Sequence, residues 1–321
     1  MAAVADNVTC KRPVVAWSVV VALAAAACSS HVASLKPGTV PSSPAAAAGS
    51  PLATTTTVPS TTTTAATTAP AAAVSAGRWS DVGLIVNGQP TLLATLIQGR
   101  PGGPSTGVVR INGAVTRMVL YAGTAEPGGT WPNQGAIPAS ADGLVAAFNS
   151  GFHTNSSGGG WYDHARVAVA LRSGAASLVI RADGTATVGM WDRDVSLTAD
   201  VVSVRQNLVL LVDNGADVSA TGSWGAVLGG GIETWRSGLG VDAAGNLLYA
   251  AGAGLDPSTL ARVLIDCGAV RAMELDINPE WVAFAYYTGA SSGTDLLPAM
   301  HFGPDHWLAG SARDFFSVVA R

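Results

Sequence analysis

Cysteine is nearly missing from this chain, with three in 321 residues at Cys10, Cys28 and Cys267. Only Cys267 falls beyond the first quarter, so no internal disulfide can staple the body of the chain. No His/Cys cluster has zinc-ligand spacing either. Cys267 sits on an apolar helical face and reads as a small hydrophobe. Lysine is scarcer still. Lys11 and Lys36 are the only two, and every later cation is Arg. From Gly77 onward 14 Arg face 20 Asp and Glu. That balance excludes the basic face a nucleic-acid partner requires, though not a local Arg-lined pocket. No Gly-x4-Gly-Lys-Ser/Thr phosphate loop occurs, so no nucleotide cofactor is expected. Glutamate appears four times, and three of the four (Glu233, Glu274, Glu280) fall between Gly229 and Phe284.

Long apolar runs are also few. Lys11-Arg12 precede the run Val14–Ala27, and Cys28-Ser-Ser follows. A basic start, an apolar core of this length and small residues before the break mark an export signal over residues 1–28. The run is shorter than the ~20 residues of a membrane-spanning helix. Cys28 after Ala-Ala-Ala resembles a lipoprotein cleavage site, although Leu23 stands five residues ahead of it rather than three. Lipid anchoring, free secretion and an uncleaved anchor all place the body outside the cytoplasm. Residues 29–76 are rich in Pro, Ala, Ser and Thr and include TTTTVPSTTTT. They hold too few large apolar groups to offset the entropy of folding, so a tether is expected there.

From Gly77 to Arg321 one domain is expected. Short apolar runs (VGLIV, TLLATLI, GVVRI, TRMVLY) are cut by Gly and Pro, which favours strands. Ala182-Asp-Gly-Thr and Asp242–Asn246 read as hairpin turns, and Asp213-Asn-Gly as a turn that ends an apolar strand. Gln206 and Asn207 interrupt an apolar run and need hydrogen-bond partners if buried. One stretch, Asp256–Gly268, reads as an amphipathic helix. Asp256 caps it, Pro257 opens it, Gly268 ends it, and Leu260, Val263, Leu264 and Cys267 form one buried face. The expected fold class is α+β, with mostly antiparallel short strands and a few helices.

The run AMELDINPEW (Ala272–Trp281) carries the chemistry. Residues two apart on a strand share a face, so Glu274 and Asp276 are expected to point together at a strand end. Two neighbouring carboxylates can divide the roles of proton donor and of base or charge stabiliser. Earlier, the strand Leu144–Phe148 runs into Asn149-Ser-Gly-Phe-His, where Gly151 permits a tight turn and Asn149 offers a donor and an acceptor. His153 could titrate there or simply face solvent. Asp276, Asn278 and Glu280 alternate like oxygen ligands. Pro279 and the absent loop glycine weaken that pattern, and a divalent cation stays open. Trp131, Trp161, Trp224, Trp235, Trp281 and Trp307 fall in or beside loops, where core anchoring is the plainer role. Asp305 and His306 could contribute to a rim.

GGGIETWRSGLGVDAAGNLLYAAG, followed by a helix and a strand ending in Leu-Asp, resembles the phosphodiester glycosidase family. Asn149, Gly151 and Phe152 match that family's Asn-Gly-Gly-Phe turn, and Asp276 matches the Asp at its strand end. The chain departs from it after Asp276, with Ile-Asn-Pro-Glu-Trp in place of a Gly-Gly-Gly-Ser-Ser run. The family's following Thr is Ser237 here. The resemblance carries over Asp276, and strand spacing sets Glu274 beside it, so these two are the expected catalytic carboxylates. Around the substrate the resemblance adds Asn149, Gly151 and Arg236, and His153, Asn278 and Trp281 are expected there from their place beside these motifs. Arg236 is then suited to a phosphodiester oxygen pair, or else to a structural pairing with Glu233, Glu274 or Asp276. Two functions follow. One is an exported, membrane-tethered hydrolase of a glycosidic or sugar-1-phosphodiester linkage in cell-wall or extracellular glycan. The other is an inactive envelope lipoprotein that binds glycan or serves as structure.

Overall fold

The protein is described by a computed structural model over residues 77–226, 230–288 and 293–321. The expected export signal and tether lie outside the described residues. Within them, short β-rich segments separated by tight turns pair with their neighbours. Ile180 and Ala186 close one hairpin, Asp213 and Ala216 a second, and Val241 and Leu247 a third.

Three main sheets result. The largest has eight strands, in spatial order Ser80–Asp81, Leu92–Gln98, Ser105–Ile111, Leu247–Leu255, Thr234–Asp242, Ala269–Glu274, Leu210–Asp213 and Ala216–Asp217. A five-stranded sheet is built around Val201–Gln206, and another around Leu144–Asn149, which lies between Phe284–Tyr287 and Phe315–Ala320. Every pairing between named strands is antiparallel.

The architecture is therefore mainly β, which corrects the expected α+β class. The helix at 256–268 does form, as Pro257–Asp266, but among the described residues the other two α-helices are four residues each. One amphipathic stretch signals a helix, not a helical layer. Helix Pro257–Asp266 makes a crossover from Leu247–Leu255 to Ala269–Glu274, on either side of Thr234–Asp242, while among the described residues turns, loops and short helical turns join the other strands.

That helix is specified locally. Asp256 accepts from the Thr259 amide at 2.7 Å, a cap worth ~1 kcal/mol. Leu260, Val263, Leu264 and Cys267 bury their side chains against Leu211, Leu248, Ala250 and Ala272 of the large sheet. Each large apolar residue buried this way contributes ~1.5–3 kcal/mol relative to exposure. The other face of the large sheet meets the Leu144–Asn149 sheet through aromatic rings. Phe148 lies 5.1 Å from Tyr249 and 5.5 Å from both Phe284 and Phe316 between ring centroids. This contact fixes where the ends of Leu144–Asn149 and Ala269–Glu274 meet.

Candidate active site

The strand Ala269–Glu274 hydrogen-bonds to Thr234–Asp242 on one side and Leu210–Asp213 on the other. Beyond Glu274 the ladder continues through Ser237. Its carbonyl accepts from Leu275 N at 2.8 Å, and its amide donates to the Asp276 carbonyl at 2.9 Å. The backbone at Asp276 is thus set by the sheet.

Its side chain is set by three donors. Oδ1 accepts from the amides of Ile277 (2.8 Å) and Asn278 (2.9 Å), and Oδ2 accepts from Arg313 Nη2 at 2.9 Å. The same Nη2 donates to the Gly151 carbonyl at 2.8 Å. One guanidinium nitrogen therefore joins the end of the Ala269–Glu274 strand to the turn that follows Leu144–Asn149. The Arg313 guanidinium also stacks over the Trp281 indole, 4.5 Å from its centroid. Burial pushes the Asp276 carboxyl up, against the pull of Arg313 and the two amides.

Glu274 goes elsewhere. It is wholly buried and meets Arg236, which is equally enclosed. Arg236 spends its other donors on carbonyls: Nε on Leu255 at 3.0 Å, Nη1 on Trp224 at 3.0 Å and Nη2 on Ile232 at 2.7 Å. Burial lifts Glu274 to about 7 despite Arg236, and the nearby charge of Asp276 adds to the rise. The two carboxylates expected to act as one pair are thus served by separate arginines. Of the two roles expected for Arg236, the structural pairing with Glu274 is the one observed, and its other donors brace the segment around Trp224 and Ile232.

Asn149 is buried and fully used. Its Nδ2 donates to the Ser150 carbonyl (2.8 Å) and Ser237 Oγ (3.1 Å), and its Oδ1 accepts from Tyr249 Oη (3.0 Å) and the Ala283 amide (3.2 Å). Burial raises the Tyr249 phenol, so it stays protonated and donates. Asn149 therefore supports the site from beneath. Gly151 is buried beside Asn207, where a Cβ would stand 2.8 Å from Asn207 Cγ. Asn207 in turn donates to the carbonyls of Glu274 (2.7 Å) and Leu275 (2.9 Å). Gln206 bonds to Gly160, Arg172 and Ser177, so both polar intrusions brace backbone and strand.

His153 is exposed and pairs through Nδ1 with Glu126. Asn278 is exposed next to Asp276, and its Oδ1 accepts from the Glu280 amide at 2.9 Å. Trp281 is buried, as are Trp131, Trp161, Trp224 and Trp307, which makes these five core anchors rather than open stacking platforms. His306 stacks on Phe302 at 3.8 Å. Both Asp276 oxygens accept from N–H groups, and among the described residues no three His, Cys, Asp or Glu side chains cluster as metal ligands.

No family model matches this sequence, and no curated protein matches it. In structure the chain is similar to the zebrafish N-acetylglucosamine-1-phosphodiester alpha-N-acetylglucosaminidase catalytic domain, with TM-score 0.48 and 17% identity over 76% of this chain and 88% of that one. It is also similar to a hypothetical protein from Synechocystis, with TM-score 0.43 and 15% identity over 73% of this chain and 63% of that one. A third similar structure, a protein described as exported from Burkholderia pseudomallei, gives TM-score 0.34 and 13% identity over 67% of this chain and 74% of that one. These are distant likenesses of fold.

Sequence reasoning missed four side chains around the site: Arg313, Glu126, Arg205 and Asp314. Arg205 and Asp314 form a buried pair, with Nε 2.6 Å from Oδ2. Arg205 Nη2 also holds the Phe152 carbonyl at 2.6 Å. A signal existed for two of them. Arg205 interrupts the apolar run VVSVRQ, and Glu126 is the one glutamate outside the Gly229–Phe284 stretch.

Proposed function

We propose that the chain is a hydrolase of a glycosidic or sugar-1-phosphodiester linkage in cell-wall or extracellular glycan, held outside the cytoplasm by its N-terminal segment. The observation that carries this reading is the pair of hydrogen bonds that Arg313 Nη2 donates to Asp276 and to Gly151. It unites the two motifs whose residues resemble a phosphodiester glycosidase, 125 positions apart in sequence. Among the described residues no helix is long and apolar enough to cross a membrane.

In this reading Asp276 supplies negative charge opposite the oxocarbenium-like centre that develops as the anomeric C–O bond breaks. Arg313 binds the phosphodiester anion. Its Nε is buried and lies 3.8 Å from Glu126 Oε2, while the side chain as a whole keeps 11% of its surface open. A guanidinium edge suits two phosphate oxygens at once. Glu274 and Arg236 act behind the site by holding the strand end. The test is incubation of the purified full chain with sugar-1-phosphodiesters and with cell-wall glycan, reading released reducing sugar.

One observation favours a second reading, an envelope glycan-binding protein without turnover. Both carboxylates are nearly closed off, Glu274 at 0% and Asp276 at 2% exposure. On that reading the same incubation releases no sugar while the chain still binds glycan.

A further inference from the structure

We propose that His153, oriented by Glu126, is the proton-transfer group of this site; the proposal rests on the hydrolase reading above. Backbone contacts between two loops place Glu126. The loop after Thr116–Tyr121 lies directly on the loop before Phe315–Ala320. Thr124 N donates to Ser311 O at 2.9 Å, and the amides of Ala125 and Glu126 share the Ala312 carbonyl at 3.0 and 3.1 Å. The approach is close enough that a Cβ on Gly123 would stand 2.2 Å from the Ala312 oxygen. Glu126 is thereby fixed beside Arg313.

The Glu126 carboxylate then orders the turn containing His153. Oε1 accepts from Thr154 N at 2.7 Å and Thr154 Oγ1 at 3.3 Å, while Oε2 meets His153 Nδ1 and lies 3.8 Å from Arg313 Nε. A carboxylate on Nδ1 fixes the ring and its tautomer, which leaves Nε2 to exchange protons. Among the described residues Nε2 has no hydrogen-bond partner in the protein, and the His153 side chain is 53% exposed. Arg313 is shared: it touches Asp276 through Nη2 and approaches Glu126 through Nε. The imidazole therefore belongs to the same constellation as Asp276. It is also that constellation's most open titratable side chain.

As the anomeric C–O bond breaks, its electron pair leaves with the departing oxygen, which takes the Nε2 proton of the imidazolium. The neutral imidazole then accepts a proton from the water whose oxygen bonds to the anomeric carbon, and this restores the imidazolium. The net change is one water added across the linkage. Glu126 is a positioning residue and gives up no proton.

The experiment uses the purified full chain and a sugar-1-phosphodiester that the wild type hydrolyses. His153→Gly should lower kcat by ~100-fold or more, the usual scale for losing acid–base catalysis. Free imidazole should restore at least ~10-fold of it by supplying the missing group. Glu126→Gln should lower kcat with little change in KM and should not respond to imidazole. If the glycine variant does not fold, His153→Gln keeps the side-chain bulk and serves as the second variant. A kcat within about threefold of wild type in either His153 variant, or a loss in the folded glycine variant that imidazole leaves untouched, overturns the proposal. No turnover by the wild type would overturn the hydrolase reading itself, a distinct result.

Discussion

Arg313 Nη2 stands 2.9 Å from Asp276 Oδ2, and no other cation touches that carboxylate among the described residues. Glu274, two positions earlier, is neutralised from a different strand by Arg236. Removing either arginine therefore strands a different carboxylate, which makes the two roles separable by mutation.

Arg313→Ala should destabilise the fold by roughly 3–5 kcal/mol at pH 7, because it leaves Asp276 charged and unpaired in the interior. The Asp276 carboxyl is already pushed up by burial, and without Arg313 it rises further. The penalty should accordingly shrink as pH falls and Asp276 takes up its proton. Urea titrations at pH 4 and pH 7 check this, and an equal penalty at both would contradict it.

Glu274→Gln tests the enclosed pair. Burial raises Glu274 from its ordinary 4.5 to about 7, so the folded state holds this proton more tightly than the unfolded chain does. The associated stability is complete below the unfolded value and is lost as pH climbs towards 7, a fall on the order of 3 kcal/mol. The glutamine variant should lack most of that fall. Asp276 and Asp295, both shifted upward by burial, leave a residual slope of the same sign. Since Glu274 has no exposed surface, kcat at a given folded concentration should change far less than for Asp276→Asn. A wild-type pH–stability curve in the variant would refute the assignment.

Asp314→Ala removes the partner of Arg205, whose side chain is 1% exposed. A stranded buried guanidinium costs roughly 3–5 kcal/mol. Arg205 also holds Phe152, so the turn carrying His153 should loosen. Thermal unfolding together with amide exchange at residues 151–154 measures both effects.

Gly151→Ala should cost ~1–3 kcal/mol, the range for overpacking a closed interior. The added methyl meets Asn207, which bonds the Glu274 and Leu275 carbonyls. Activity should fall with stability. Unchanged melting would mean the turn is slacker than its contacts indicate.

What the sequence made legible was local. The helix at Asp256–Gly268 was readable because its cap, its proline and its apolar spacing lie within a few residues of one another. The hairpins at Ala182-Asp-Gly-Thr and Asp242–Asn246 were readable for the same reason. The class was misjudged because a helix announces itself more loudly than short strands do, and the alternation of the strands says nothing of which sheets they join. At the site, the turn at Asn149–His153 and the strand end at Asp276 stood out by residue type. Their connection did not, because Arg313 lies 37 positions from Asp276 in sequence and is placed by the loop packing of Gly123 on Ala312. The spacing of Glu274 and Asp276 suggested a shared face. Which arginine each one meets depends on long-range pairing that no window of sequence contains.

The most direct test of the account is reducing-sugar release from sugar-1-phosphodiesters by the wild type and by Asp276→Asn, side by side. The account predicts turnover by the wild type and a loss of at least ~100-fold in the variant, with near-UV circular dichroism unchanged. A wild type that releases no sugar, or an Asp276→Asn variant that matches it, would contradict the central claim.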